Sequence, residues 1–196
     1  MIPENPQAPT PQSLPVRPPE GQSLMKVVWQ RIHTWLDANA PAGYGLLRPG
    51  ASLKEIRAAE KAMGLKFPDD IKASYRIHDG QDTQARYGRG LVGGEVWRLI
   101  PLQEIVELWG HWSRADPKNV HSVPIADMGT GDCVFLNLDP DFRKLDPEAE
   151  EPGYLMTQRR DTAEPDPFLP SFSFWLEDLP TNWRTADSRT PRPKAA

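Results

Sequence analysis

Leu65-Lys66-Phe67-Pro68-Asp69-Asp70-Ile71, continued by Tyr75-Arg76-Ile77-His78-Asp79-Gly80-Gln81, is the stretch on which the reading of this chain turns. Proline lacks only an amide that a helix start leaves unpaired, and Asp69 and Asp70 suit the positive end of a helix dipole, so a helix begins at Pro68. Ile71 and Tyr75 lie one turn apart and face inward. Gly80 permits the positive φ of a helix terminus, which ends this helix at His78-Asp79-Gly80. At that position His78 and Asp79 read as local capping groups and not as a metal pair or an acid/base couple. The pattern is helical before this stretch and strand-like after it.

Working towards the N-terminus, Ser52 followed by Glu55 forms a capping box for a helix carried by Leu53, Ile56, Ala59 and Met63, with Gly64 as its stop. The Gly- and Pro-containing loop 42–50 precedes it. Ser23 caps a first helix with a stripe of Leu24, Val27, Val28, Ile32, Trp35 and Leu36 at three- and four-residue spacings. Residues 1–22 hold seven prolines and almost no large apolar side chains, so they read as a disordered or docked tail.

Working towards the C-terminus, five β-type runs follow: Leu91-Val92, Val96 to Ile100, Ser122 to Ala126, Cys133 to Leu138 and Tyr154 to Thr157, with Gly, Pro, Asp or Asn between them. Leu102, Ile105, Val106, Leu108, Trp109 and Trp112 mark another amphipathic helix between the second and third runs. Ser171 caps a last helix with Phe172, Trp175, Leu176 and Leu179. The expected architecture is α+β: N-terminal helices on a curved, mostly antiparallel sheet with a closing C-terminal helix. Residues 23–184 form the domain, and 185–196 are a polar tail.

Length and composition fit one domain with tails, since 196 residues include 22 prolines concentrated towards the ends. With a single cysteine, Cys133, no intramolecular disulfide forms, and the absence of a signal-like start or an apolar run of about 18 residues points to the cytoplasm and away from a membrane. A net charge of −4 argues against direct nucleic-acid binding through a basic face. The sign is uneven, because eleven acids face four bases between Asp127 and Asp166. That acidic half suits a basic partner.

The ordered motifs resemble the SUKH superfamily: Trp29 to Leu36; Arg48-Pro49-Gly50 leading into Ser52 to Gly64; the quoted stretch to Gln81; Gly90-Leu91 and Trp97-Arg98-Leu99-Ile100 with Pro101-Leu102; Asp127 to Asp139; and Ser171-Phe172 to Trp175-Leu176. The likeness runs from about Val28 to Leu179. The segment from Pro140 to Pro152 departs from it, being long and acidic where a short turn is expected. The resemblance implies a binding platform and not a catalyst. In bacteria such domains are typically immunity proteins, and the expectation is one that occludes a cognate cytoplasm-acting, nucleic-acid-targeting toxin. The alternative it implies is a non-enzymatic scaffold or regulator of cell-wall synthesis, as in fungi.

No catalytic, cofactor or metal constellation emerges. Asp127, Asp132 and Asp139 lack calcium-loop spacing and read as turn formers, the glycine runs lack a phosphate-loop lysine, and Cys133 at the head of a strand reads as a buried small residue. The candidate partner-binding residues are Asp127, Asp132, Asp139, Asp141, Glu148, Glu150 and Glu151, facing a basic toxin domain.

Overall fold

A computed structural model describes residues 23–39, 45–82, 98–127, 131–141, 153–158 and 166–169, together with Phe172 and Leu176. Three helices come first: α1 (Leu24–Asn39), α2 (Leu53–Met63) and α3 (Asp69–Tyr75). Strand β1 (Arg98–Leu99) then leads into α4 (Leu102–Ala115) and a 3-10 turn (Pro117–His121). Strands β2 (Ser122–Asp127), β3 (Cys133–Asn137), β4 (Tyr154–Gln158) and β5 (Asp166–Leu169) follow. The sheet order is β1-β2-β3-β4-β5 with every pair antiparallel, so each strand lies beside its neighbour in sequence. The α+β expectation holds. No helix among the described residues is long and apolar enough to cross a membrane.

The helices form where their caps and stripes lead. Ser52 accepts the Glu55 amide while the Glu55 carboxylate accepts the Ser52 amide at 2.7 Å, and Gly64 ends α2 in the left-handed region. α1 buries Met25, Val28, Trp29, Ile32 and Leu36. Its inward face is thus turned from the expected stripe, with Met25 and Trp29 inside and Val27 only half-buried. Each such side chain contributes about 1.5–3 kcal/mol by leaving water. Leu53, expected inside, is 44% exposed, because the first residue of α2 precedes the turn that packs. α3 starts one residue later than expected, with Pro68 as its cap, and ends at Tyr75. The segment 76–82 is therefore free to act as a connector.

The sheet's inner face adds Leu99, Val123, Ile125, Ala126, Val134, Leu136 and Leu155 to one core with the helices. Consecutive Ile125 and Ala126 both reach that core because the β2–β3 register shifts between Pro124 and Ala126. Pro124 is tolerated mid-strand since β1 pairs only with Ala126 and Asp127, leaving β2 without an outer ladder partner there. On the other face Phe135 and Met156 form a smaller cluster with Trp112, whose ring meets Phe135 edge-on at 6.4 Å.

Strand β5 was not expected, since Pro165, Pro167 and Pro170 punctuate it. It stands at the sheet edge, the one place where a strand tolerates proline. Of the expected closing helix, Phe172 and Leu176 are helical and fully buried, while Ser171, Trp175 and Leu179 lie outside the described residues. Both tails, Leu91-Val92, Val96 and Trp97 also lie outside them.

Candidate functional site

The connector 76–82 is the junction of the molecule. Its backbone binds the loop before α2 at three points, Arg48 to Gly80, Asp82 to Leu46 and Asp79 to Pro49, at 2.9 to 3.2 Å, and the first two make an antiparallel bridge between Leu47 and Gln81. Gly80 has φ +65, and a Cβ there would lie 2.7 Å from the Ile100 carbonyl carbon, so only glycine lets the connector pass this close to the exit of β1. Gln81 then flanks β1: its amide donates to the Leu99 carbonyl, and its side-chain oxygen accepts the Leu99 amide at 3.1 Å. Tyr75, buried above, donates its hydroxyl to the Ile100 carbonyl at 2.8 Å, and burial raises that phenol far above its ordinary pKa.

Asp79 does cap a helix, but not the one it follows. Its Oδ1 accepts the Leu102 amide at 2.8 Å, which closes the start of α4, where Pro101 offers no side-chain cap of its own. Burial raises its pKa, against the opposing pull of the Leu102 amide and of the Arg48 guanidinium 3.4 Å away. His78 donates from Nδ1 to the Arg48 carbonyl at 2.9 Å. Its Nε2 is thereby left as an acceptor, and His33 on α1 donates to it from its own Nε2 at 2.7 Å. Both imidazoles pack on Trp29, whose indole N–H donates to Ser74 at 2.8 Å. Burial lowers both histidine pKa values, and the neighbouring ring lowers that of His33 further. The pair is a neutral hydrogen bond between α1 and the junction.

A buried ionic cluster lies next to this junction. The Arg98 side chain is fully buried, and it grips Glu104 of α4 through two bonds of 2.9 and 2.7 Å and Asp127 of β2 through one of 2.6 Å. Burial alone would lower the arginine pKa, but the two carboxylates raise it. This cluster locks β1, α4 and β2 together, and the sequence reading missed it. The signal was an arginine between Trp97 and Leu99 in an apolar strand, which demands a counter-ion within reach.

The four described acidic residues among those expected to meet a partner lie at two ends of strand β3. Asp127 is bound to Arg98, and Asp132 is half-buried at the same end of the sheet. Asp139 and Asp141 lie at the opposite end of β3, on the order of 20 Å away along an extended strand. There Asp139 accepts the Asp141 amide at 2.8 Å and donates its own amide to Asn137, forming a turn with Asp141 exposed. Glu148, Glu150 and Glu151 lie outside the described residues. Cys133 is buried, with its thiol directed at the Val134 carbonyl and its pKa raised by burial and by Asp127. Such a thiol is a poor nucleophile.

The KNR4/SMI1 homolog of Eremothecium gossypii is 33% identical over 95 residues, which is 47% of this chain and 14% of that protein. The glucan synthesis regulatory protein of Neurospora crassa is 28% identical over 86 residues, 43% of this chain and 15% of the relative. The cell wall assembly regulator SMI1 of Saccharomyces cerevisiae is 27% identical over 151 residues, 69% of this chain and 29% of the relative. This chain therefore spans less than a third of the length of each. The SMI1 / KNR4 family (SUKH-1) model matches residues 50–178, from the last glycine of the loop before α2 to just beyond Leu176, and so takes in the connector 76–82, the Arg98 cluster and the whole described sheet. This chain belongs to the SMI1/KNR4 (SUKH-1) family.

Proposed function

We propose that this chain is a non-catalytic recognition module that acts inside the cell in the regulation of cell-wall glucan synthesis. The family match carries this reading, because relatives sharing the domain are named as regulators of cell-wall assembly or glucan synthesis. The chemistry of the junction supports it. The histidines, Asp79 and Gln81 are tied to backbone or to one another and Arg98 to Glu104 and Asp127, so the groups an enzyme would turn towards a substrate here hold elements together. A chimera tests the proposal: residues 23–184, which include α1, replace the corresponding segment of the Saccharomyces cerevisiae regulator, and growth is scored on a wall-perturbing agent. Growth like that of the parent is expected. A folded chimera that behaves like a deletion of the regulator would defeat the reading.

A second reading, occlusion of a basic toxin, draws on one observation, the acidic excess between Asp127 and Asp166. With Asp127 committed to Arg98, that reading keeps Asp132, Asp139, Asp141, Glu148, Glu150 and Glu151, of which the last four are the ones to neutralise together. Co-expression with the product of a flanking reading frame is its test. Protection that survives neutralisation of all four acids would sink the acidic-face form of it.

A further inference from the structure

Among the described residues, α2 presents a cationic face from which its own acids have been withdrawn. Lys54, Arg57 and Lys61 are all exposed, and at ~100° per residue they fall within about 60° of one another around the helix. The small residues Ala58 and Ala62 lie beside them, also exposed, and Leu53 is 44% exposed at the N-terminal end. A solvated helix face of this kind ordinarily carries glutamates three or four residues from its lysines. Here both glutamates of α2 serve the fold. Glu55 is held in the capping box by Ser52. Glu60 is 5% exposed and accepts the Phe67 amide at 3.0 Å and the Lys66 ammonium at 3.4 Å. None of Lys54, Arg57 and Lys61 makes an ion pair among the described residues.

We infer that this face of α2 is an interaction surface for an extended acidic polypeptide segment of a partner protein. The inference rests on the recognition-module reading and supplies its surface. Spacing and charge decide the occupant. From Lys54 to Lys61 the helix rises about 10 Å, with axial steps of roughly 4.5 and 6 Å between successive cations. Acidic side chains at alternate positions of an extended strand repeat every ~6.7 Å on one side, so a segment with acids at i, i+2 and i+4 brings three carboxylates along the three cations. The exposed alanines leave room for its backbone to approach, and Leu53 offers an apolar contact at one end. A long polyanion such as nucleic acid is the weaker fit, because the chain as a whole carries −4 and would repel it beyond the stripe.

The test uses the full chain and a labelled twelve-residue peptide with glutamates at alternate positions, followed by fluorescence anisotropy. Saturable binding is expected, weakening several-fold between low and physiological salt, where screening acts over about 8 Å. The Lys54→Glu, Arg57→Glu, Lys61→Glu variant should bind about tenfold more weakly or worse, since exposed charges act mainly through complementarity. The Gln triple variant should fall between. A control of equal charge change elsewhere, Lys26→Glu, Arg31→Glu, Lys118→Glu, should stay within about twofold of the parent. Equal loss in the control, unchanged binding in the α2 variant, or no saturable binding overturns the inference. So does tighter α2-dependent binding of a single-stranded oligonucleotide of the same charge. In the yeast chimera, growth that survives the α2 reversal removes the surface but keeps the module reading, whereas failure of the unmodified chimera removes the module reading itself.

Discussion

The Arg98 cluster and the α2 face use the same chemistry for opposite ends. Arg98 is fully buried and has two carboxylates within 2.9 Å, while Arg57, Lys54 and Lys61 are exposed with no ion pair among the described residues. The buried cation is fixed in one place and serves the fold. The exposed cations have no such tether and face solvent, where a partner can reach them. A charged residue in this domain is therefore informative about function only once its partners inside the molecule are known, and Asp127 shows why: it belongs to the acidic half by sequence and to Arg98 by structure.

The contrast breaks or sharpens under substitution. The largest effect is expected from Arg98→Met, which strands Glu104 and Asp127 and should cost about 3–5 kcal/mol in urea unfolding. Adding Glu104→Gln and Asp127→Asn should recover much of that loss. A single variant within 1 kcal/mol of the parent would place Arg98 among the dispensable charges. Next, Gly80→Ala forces a side chain into a left-handed conformation against the Ile100 carbonyl carbon, and a loss of roughly 1–3 kcal/mol or more follows from the strain alone. A neutral result would mean that the junction yields.

A smaller effect concerns pH. His33 and His78 both have pKa values below their unfolded value of 6.5, so neutral imidazole is favoured in the folded state. The stability they contribute is present above pH 6.5 and is lost as pH falls through the lowered folded values. Denaturation midpoints measured from pH 8 to pH 5 should fall, and the slope should flatten in His33→Gln. An unchanged slope would remove the histidine pair from the account. The smallest effect belongs to the exposed stripe: the α2 charge reversal should leave stability within about 0.5 kcal/mol of the parent. A larger loss would show that these cations serve the fold after all.

Local signals were legible in the sequence. The capping box at Ser52 and Glu55, the glycine stop at Gly64, four of the five strands and the α+β order all follow from residue type and spacing. What stayed hidden depends on distance in space. Asp79 looks like a cap for the helix it follows, yet closes one that begins at Leu102. The Arg98–Asp127, Gln81–Leu99 and His33–His78 contacts join residues 18 to 45 positions apart, which no periodicity encodes. Strand β5 was masked by its prolines, because edge position is a property of the sheet and not of the segment.

The strictly sequential order of the strands bears on how the family varies. Because β3 and β4 are neighbours in the sheet as well as in sequence, residues 138–153 connect two adjacent strands. Lengthening such a loop costs only closure entropy, about 0.6 kcal/mol per doubling, and leaves every register intact. The long acidic run from Pro140 to Pro152 sits in that connection, so its length and charge can change without a change in the order of the strands.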